Sequence, residues 1–372
     1  MRYRKKQEYL EHFNDIFKTA VADRLRAPRI VISLSGGLDS SAIAATVRDI
    51  QADGQHPSEL NAVTVLYDSI HASDEKHYAK LVSQHLKLPT HYIDGGKYPF
   101  MSPPVQTSRP MELYQPALWL DMANKASGFG RVMLTGEAGD NLLHFSSVMS
   151  SLKDINLFNL PSTIYQLKAL YGTYPPFGTG LKAKLNRLTG KKTSASTIPY
   201  PAWLNPELEA RLGLKQRWSE WHHWRPPATY PRYSTLYETM LRPDWNTDDN
   251  YMHTAFTEPE NRDPFLDLRL VKFVASLPAL PWLFNKHLLR TALHGFLPEE
   301  VIKRRKTALG NIHTTLVNQP GSNWSNDWQA IPELDRFVVR KKIPVFDEQF
   351  NDSMKAYMSL RPYLLNSWIQ GL

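Results

Sequence analysis

The sequence predicts an α/β fold: a doubly wound, mostly parallel sheet with a largely helical C-terminal half. Three observations point there. Strand-length apolar runs alternate with amphipathic, helix-length segments over roughly the first 135 residues. Two glycine-containing loops, 35–41 and 135–140, follow directly on such runs, and each carries an aspartate. From about residue 145 the alternation stops, and helical or irregular sequence rich in aromatics and prolines takes over. The chain is therefore read as an α/β core with an N-terminal helix over 1–145 and a mainly helical region over 146–372.

Within 3–26, Tyr9, Leu10, Phe13, Ile16, Phe17, Ala20, Val21 and Leu25 recur at helical spacing opposite a charged face. They predict a helix packed on the sheet. Ile30, Val31, Ile32 and Leu34 make the first strand, and Ala42, Ile43, Ala44, Ala45 and Val47 open a buried helix. Asp53-Gly54-Gln55-His56-Pro57 is a loop before the second strand, Leu60 to Tyr67. Ser73 is placed to cap a helix running through Tyr78, Ala79, Leu81, Val82 and Leu86. Asp74 and Glu75 suit its first turn, where the helix dipole favours negative charge. Thr90 to Ile93 is the third strand, Met111 to Ser127 a helix broken at Pro116 or starting there, and Arg131 to Thr135 the fourth strand. In such sheets ligands lie beyond the carboxyl ends of the strands.

Beyond 145, Gly172 to Gly180 and Thr189 to Pro201 read as loops. Lys182 to Lys192 is strongly basic, either a contact for an acidic substrate or a solvated loop. Trp218, Trp221, His222, His223 and Trp224 form an aromatic knot, read as core or interface packing because no third ligand stands at metal-binding spacing. Pro332 to Leu372 reads as helices.

With 44 basic against 36 acidic residues, the net charge of +8 suits an anionic partner: ATP, an acidic peptide or a nucleic acid. The absence of cysteine excludes disulfides, zinc thiolates, iron–sulfur clusters and a thiol nucleophile. No apolar run is long enough for a membrane span, and Met-Arg-Tyr-Arg-Lys-Lys-Gln leads into an amphipathic segment, so the expected location is the cytoplasm.

The stretch Ser35-Gly36-Gly37-Leu38-Asp39-Ser40-Ser41 joins a strand to a helix N-terminus. Glycines let the backbone approach a ligand, and the helix N–H groups and dipole face an anion. Hydroxyls at Ser35, Ser40 and Ser41 add donors. A carboxylate at Asp39 makes sense beside a phosphate if a divalent cation lies between them. No Gly-Lys-Ser/Thr follows, so this is not a Walker A loop. It resembles the PP-loop of the ATP pyrophosphatase superfamily, Ser-Gly-Gly-x-Asp-Ser, whose members cleave ATP to AMP and pyrophosphate and share the adenine nucleotide alpha hydrolase-like fold.

Five further stretches, in order, resemble the synthetase domain of the asparagine synthetase family. They are Ser73-Asp74-Glu75 with Tyr78-Ala79; Thr135-Gly136-Glu137-Ala138-Gly139-Asp140; Glu260-Asn261-Arg262-Asp263-Pro264-Phe265-Leu266-Asp267; Lys286-His287-Leu288-Leu289-Arg290-Thr291-Ala292; and Leu297-Pro298-Glu299-Glu300-Val301 with Arg304-x-Lys306. The resemblance implies adenylation of a carboxylate on Mg-ATP followed by attack of an amine. It implies ATP contacts at Leu34, Ser35, Gly36, Gly37, Asp39, Ser40, Ser41, Val65, Thr135 and Gly136, with magnesium held by Asp39 and Asp140. Lys306 matches the lysine that neutralises charge at the acyl-adenylate and tetrahedral intermediate, and Glu137 a glutamate that handles protons during amine attack. Arg262 and Asp267 are expected to form a structural ion pair.

Two positions depart from the family pattern. Asn141 stands where an acid usually follows the loop aspartate, and Thr307, Ala308 and Leu309 delay the glycine after Lys306 to Gly310. The nucleophilic cysteine and glutaminase domain of glutamine-dependent members have no counterpart, so the amine is expected to be free ammonia, a group within the substrate, or partner-delivered. Among related enzymes, lasso-peptide cyclases close a ring with the same domain. The aromatic, basic middle region from Pro201-Ala202-Trp203-Leu204 onward looks like theirs, implying a precursor peptide and a partner protease. β-Lactam synthetases carry tyrosine where Glu137 stands. PP-loop tRNA-modifying enzymes are a second class, but lysidine synthetases lack the Pro-Phe-Leu-Asp and Arg-x-Lys segments, which argues against a nucleic-acid partner. A non-catalytic scaffold is a third class, and retention of Asp39, Glu137, Asp140 and Lys306 argues against it.

Overall fold

A computed structural model describes residues 3–54, 56–71, 73–101, 114–178, 199–223, 259–305, 315–316, 328–344 and 353–371. Among the described residues, five strands form one wholly parallel sheet: β1 (Arg29–Ser33), β2 (Glu59–Leu66), β3 (Thr90–Asp94), β4 (Val132–Leu134) and β5 (Glu260–Arg262), in the order β3-β2-β1-β4-β5. Both neighbours of β1 are reached by crossovers in opposite directions, so the chain reverses its winding between β1 and β4. A crevice opens there beyond the strands' carboxyl ends.

Helices cover both faces. Alternation along β1 sends Ile30 and Ile32 to one side and Val31 to the other. The first side packs against α1 (Lys6–Ala22), α2 (Leu38–Ala52) and Val82 of α3 (Glu75–His85); the second packs against Leu118, Met122 and Ala126 of α4 (Pro116–Phe129). Pro116 sits in the first turn of α4, where its missing N–H costs nothing. The cap of α3 is Asp74, one residue later than expected, while the Ser73 hydroxyl accepts the Glu75 N–H at 3.4 Å.

The sequence pattern did not reveal β5. Its three residues, Glu-Asn-Arg, carry no strand signature of their own, and only pairing with β4 makes them a strand. They lead into α9 (Leu268–Ser276), which follows α5 (Gly139–Leu142), α6 (Leu160–Tyr171), α7 (Pro206–Leu212) and α8 (Leu214–His223) in the chain. The main core runs through both halves. Phe17 of α1 meets Phe265 at 5.1 Å between ring centroids, and Phe13 meets Phe273 of α9 at 6.5 Å.

The expected Arg262–Asp267 pair is corrected. Asp267 caps α9 and pairs with Arg24 at 2.9 Å and with Arg269 at 2.7 Å. Arg262 instead grips Glu260 and donates to the Arg24 carbonyl at 3.1 Å. Both residues therefore fasten the same place, the end of α1. Hydrogen bonds from Arg269 and Arg24 hold the Asp267 carboxyl well below the usual carboxylate range.

Only the Trp218 and Trp221 side chains of the aromatic knot fall among the described residues. Trp221 is exposed and Trp218 half-buried; the two rings lie 6.1 Å apart, with Tyr200 edge-on to Trp218 at 5.9 Å. Trp224, the side chains of His222 and His223, and the basic run 182–192 lie outside the described residues. In the tail, short turns at Pro332–Arg336 and Arg340–Lys342 precede a helix, Ser353–Gln370. No described helix is long and apolar enough to cross a membrane.

Candidate active site

The 35–41 loop turns at Gly36, whose backbone is left-handed at φ 68°. A Cβ there would stand 2.5 Å from the Ala79 nitrogen, so only glycine lets α3 close on the loop. This explains why the Tyr78-Ala79 pair accompanies the loop in sequence. Inside the turn, the fully buried Ser41 hydroxyl donates to the Gly37 carbonyl at 2.7 Å, and Ser35 N–H donates to Ser40 Oγ at 3.2 Å. The Ser41 hydroxyl thus braces the loop, whereas Ser35 is exposed at its mouth. Leu34 is sunk in the core, leaving only its backbone to face a ligand, and Val65 is half-buried near the end of β2 on the face covered by α4.

From the end of β4, the 135–140 loop folds onto the first turn of α2. Cβ atoms on Gly136 and Gly139 would lie 2.9 Å from Ser40 N and 2.6 Å from Asp39 Cγ, respectively. Between them Ala138 takes a left-handed conformation, φ 61°. Thr135 donates its hydroxyl to Asp263, at the end of β5, and accepts the Glu137 N–H at 3.2 Å. Glu137 is exposed by surface area, yet protein atoms crowd its carboxylate. That desolvation, reinforced by the charge of Asp263, raises its pKa.

Asp39 and Asp140 converge on one point, the Lys286 ammonium, which bonds Asp39 Oδ2 and lies 2.6 Å from Asp140 Oδ1. Oxygens that share one ammonium are within reach of one small cation, so the pair fits a hard divalent ion such as magnesium. Among the described residues no group of three or more potential metal ligands occurs. Two carboxylates with phosphate oxygens and water suit magnesium, which keeps much of its hydration.

Lys286 precedes α10 (His287–Ala292), and its backbone and that of Asn285 are both left-handed, at φ 55° and 48°. Arg290 fixes this turn: Nε donates to the Asn285 carbonyl at 2.7 Å, Nη2 to the Arg304 carbonyl at 3.0 Å, and Nη1 to the Ile302 carbonyl. Arg304 follows α11 (Glu299–Lys303), donates to the Gly36 carbonyl at 2.8 Å and stacks over Tyr78. One guanidinium thus ties the Lys286 turn to the segment entering Lys306, and the next ties that segment to the 35–41 loop. Lys306 itself lies outside the described residues. Beside the turn, burial holds His287 down at about 4, so it accepts at Nδ1 from Tyr171, 2.7 Å away.

Sequence reasoning included Lys286, Arg290 and Arg304 in its motifs but gave them no role, and it left Asp263 as a variable position. The asparagine synthase family model matches residues 12–360, nearly the whole chain. The chain belongs to the asparagine synthase family. Curated relatives of this asparagine synthase-family chain include amidase chyE of Penicillium rubens, 25% identical over 97% of this chain and 54% of that protein. Amidase chry2 of Gibberella zeae is 25% identical over 82% of this chain and 52% of that protein. The chain spans about half the length of these relatives. Among solved structures, the U34-tRNA thiolase NcsA of Methanococcus maripaludis is similar at 15% identity and a TM-score of 0.29, covering 62% of this chain and 78% of that one.

Proposed function

We propose that this chain is an AMP-forming amide synthetase. It activates a carboxylate by attack on the α-phosphate of ATP, expels pyrophosphate, and transfers the acyl group to an amine with release of AMP. The observation that carries this reading is the convergence of Asp39 and Asp140, from two glycine-shaped loops, at the point where the sheet reverses its winding. The N–H groups opening α2 would receive the phosphates, whose charge grows as the α–β bond breaks. Magnesium, held by Asp39 and Asp140, would supply charge neutralisation on the departing pyrophosphate. Glu137, with its raised pKa, would take the proton from the attacking amine. Lys306, just after the segment pinned by Arg290 and Arg304, would stabilise the acyl-adenylate and tetrahedral oxyanion.

A peptide carboxylate, as in macrolactam formation, is a second reading with an observation behind it. Leu157, Phe158, Tyr165, Leu170, Tyr174 and Phe177 are all exposed within one segment. That segment includes Tyr171, which reaches His287 next to Lys286. Exposed apolar side chains this closely spaced along the chain would suit an extended apolar ligand.

Calorimetry with the α,β-methylene analogue of ATP and magnesium tests the site. Asp39→Asn should weaken binding by at least about tenfold, the loss of one charged metal contact; unchanged affinity would sink the assignment. Lys306→Ala should bind the analogue as wild type does but lose about 100- to 1000-fold in turnover, the usual effect of removing an oxyanion stabiliser. In peptide-stimulated turnover the nucleotide product should be AMP, and ADP would refute the reaction class.

A further inference from the structure

We propose that Lys286 makes the metal position selective for a cation that arrives with nucleotide, by competing with free divalent ions for Asp39 and Asp140. The inference rests on the reading of 35–41 and 135–140 as the Mg-ATP site.

The ammonium lies within hydrogen-bonding reach of both carboxylates at once, 2.6 Å from Asp140 Oδ1 and bonded to Asp39 Oδ2. A cation seated between these oxygens would have to take its place. The lysine is held in that place by its backbone as well as by charge. Asn285 and Lys286 are both left-handed, a costly conformation for residues with side chains, and the turn is secured by Arg290 through the Asn285 carbonyl at 2.7 Å. Side-chain exposure is 15% for Lys286 and 17% for Asp39, so the ammonium and the carboxylate it holds are poorly screened by water.

Charge decides what can displace the lysine. One ammonium balances one of the two carboxylates. A free divalent ion entering between them would push a held monovalent cation aside and then sit beside it, poorly screened on the Asp39 side although Asp140 is 48% exposed. A metal–nucleotide complex brings its own phosphate oxygens, which give the displaced ammonium new anionic partners. The same lysine therefore opposes free metal and favours metal bound to triphosphate.

Manganese serves as the probe, read by loss of the free-ion electron paramagnetic resonance signal on titration with the purified chain. Without nucleotide, Lys286→Met should bind manganese about tenfold or more tightly than wild type. Lys286→Gln should do likewise, which covers the case in which one variant folds poorly; melting curves monitor this. Adding Asp140→Asn to Lys286→Met should abolish the gain. With the α,β-methylene analogue present, wild type should bind manganese at least as tightly as Lys286→Met. Equal manganese affinity of wild type and both lysine variants without nucleotide, while wild type still binds the manganese–analogue complex through Asp39, would overturn the inference and leave the nucleotide site standing. Failure of wild type to bind that complex, or binding indifferent to Asp39→Asn, would overturn the nucleotide site and the inference with it.

Discussion

Asp263 stands within reach of the Thr135 hydroxyl, and Thr135 in turn accepts from the Glu137 backbone, so one aspartate both shapes and charges the loop that carries the proposed base. The sign of its influence can be tested. Desolvation and the negative charge of Asp263 both raise the Glu137 pKa. Turnover that needs ionised Glu137 should fall with acidity at a higher pH than an ordinary glutamate would impose. Asp263→Asn removes a like charge, so the acid limb should move to lower pH; Glu137→Gln should erase it. A kcat–pH profile of the three proteins checks this, and a limb unmoved by Asp263→Asn would break the link. Asp263 occupies a position that the Glu-x-Arg-x-Pro-Phe-Leu-Asp pattern leaves open, so its role emerges only when β5 is laid beside β4.

At the scale of elements, α3 approaches the backbone of the 35–41 loop too closely for any side chain at Gly36. Gly36→Ala would set a Cβ against backbone atoms at 2.5 and 2.9 Å on a left-handed residue, so nothing flexible can yield. The expected cost is about 1–3 kcal/mol in stability, with nucleotide binding weakened at least about tenfold, because the loop must move to relieve the clash. Urea denaturation and calorimetry on the variant check both, and wild-type values would mean that the loop is looser than its geometry. This loop was legible in the sequence because its information is local: an apolar run, two glycines, a serine-rich helix start. The same locality made β1 to β4, α1 and α4 readable from periodicity. What escaped depends on distant partners. Asp267 finds Arg24 from the other end of the chain, in place of nearby Arg262, and Lys286 reaches Asp39 through a backbone turn that no periodicity reports. A three-residue charged strand has too short a period to register at all.

Across the whole molecule, the core does not respect the change in sequence character near residue 145. Tyr9, Phe13 and Phe17 of α1 spend their apolar surface on Trp282, Phe273 and Phe265, all from the later part of the chain. Fully burying one such side chain is worth roughly 2–3 kcal/mol, so stripping these partners removes about as much as a domain's entire margin of stability. A fragment of residues 1–145 should therefore lack a cooperative thermal transition by circular dichroism, while the full chain shows one. A sharp transition in the fragment would establish an autonomous nucleotide-binding unit.

The distance along the chain between β4 and β5 also sets a clock on synthesis. A ribosome adding about 5–20 residues per second takes on the order of ten seconds to travel from Leu134 to Arg262. Through that interval the β4 segment has no β5 to pair with, and its three-residue length gives other nascent chains little to pair with. Asp39 and Asp140 emerge long before Lys286, and the Asp263 that polarises the Glu137 loop emerges late as well. A half-made chain thus carries Asp39 and Asp140 without Lys286, and the contact that joins the three can form only after synthesis has passed residue 286.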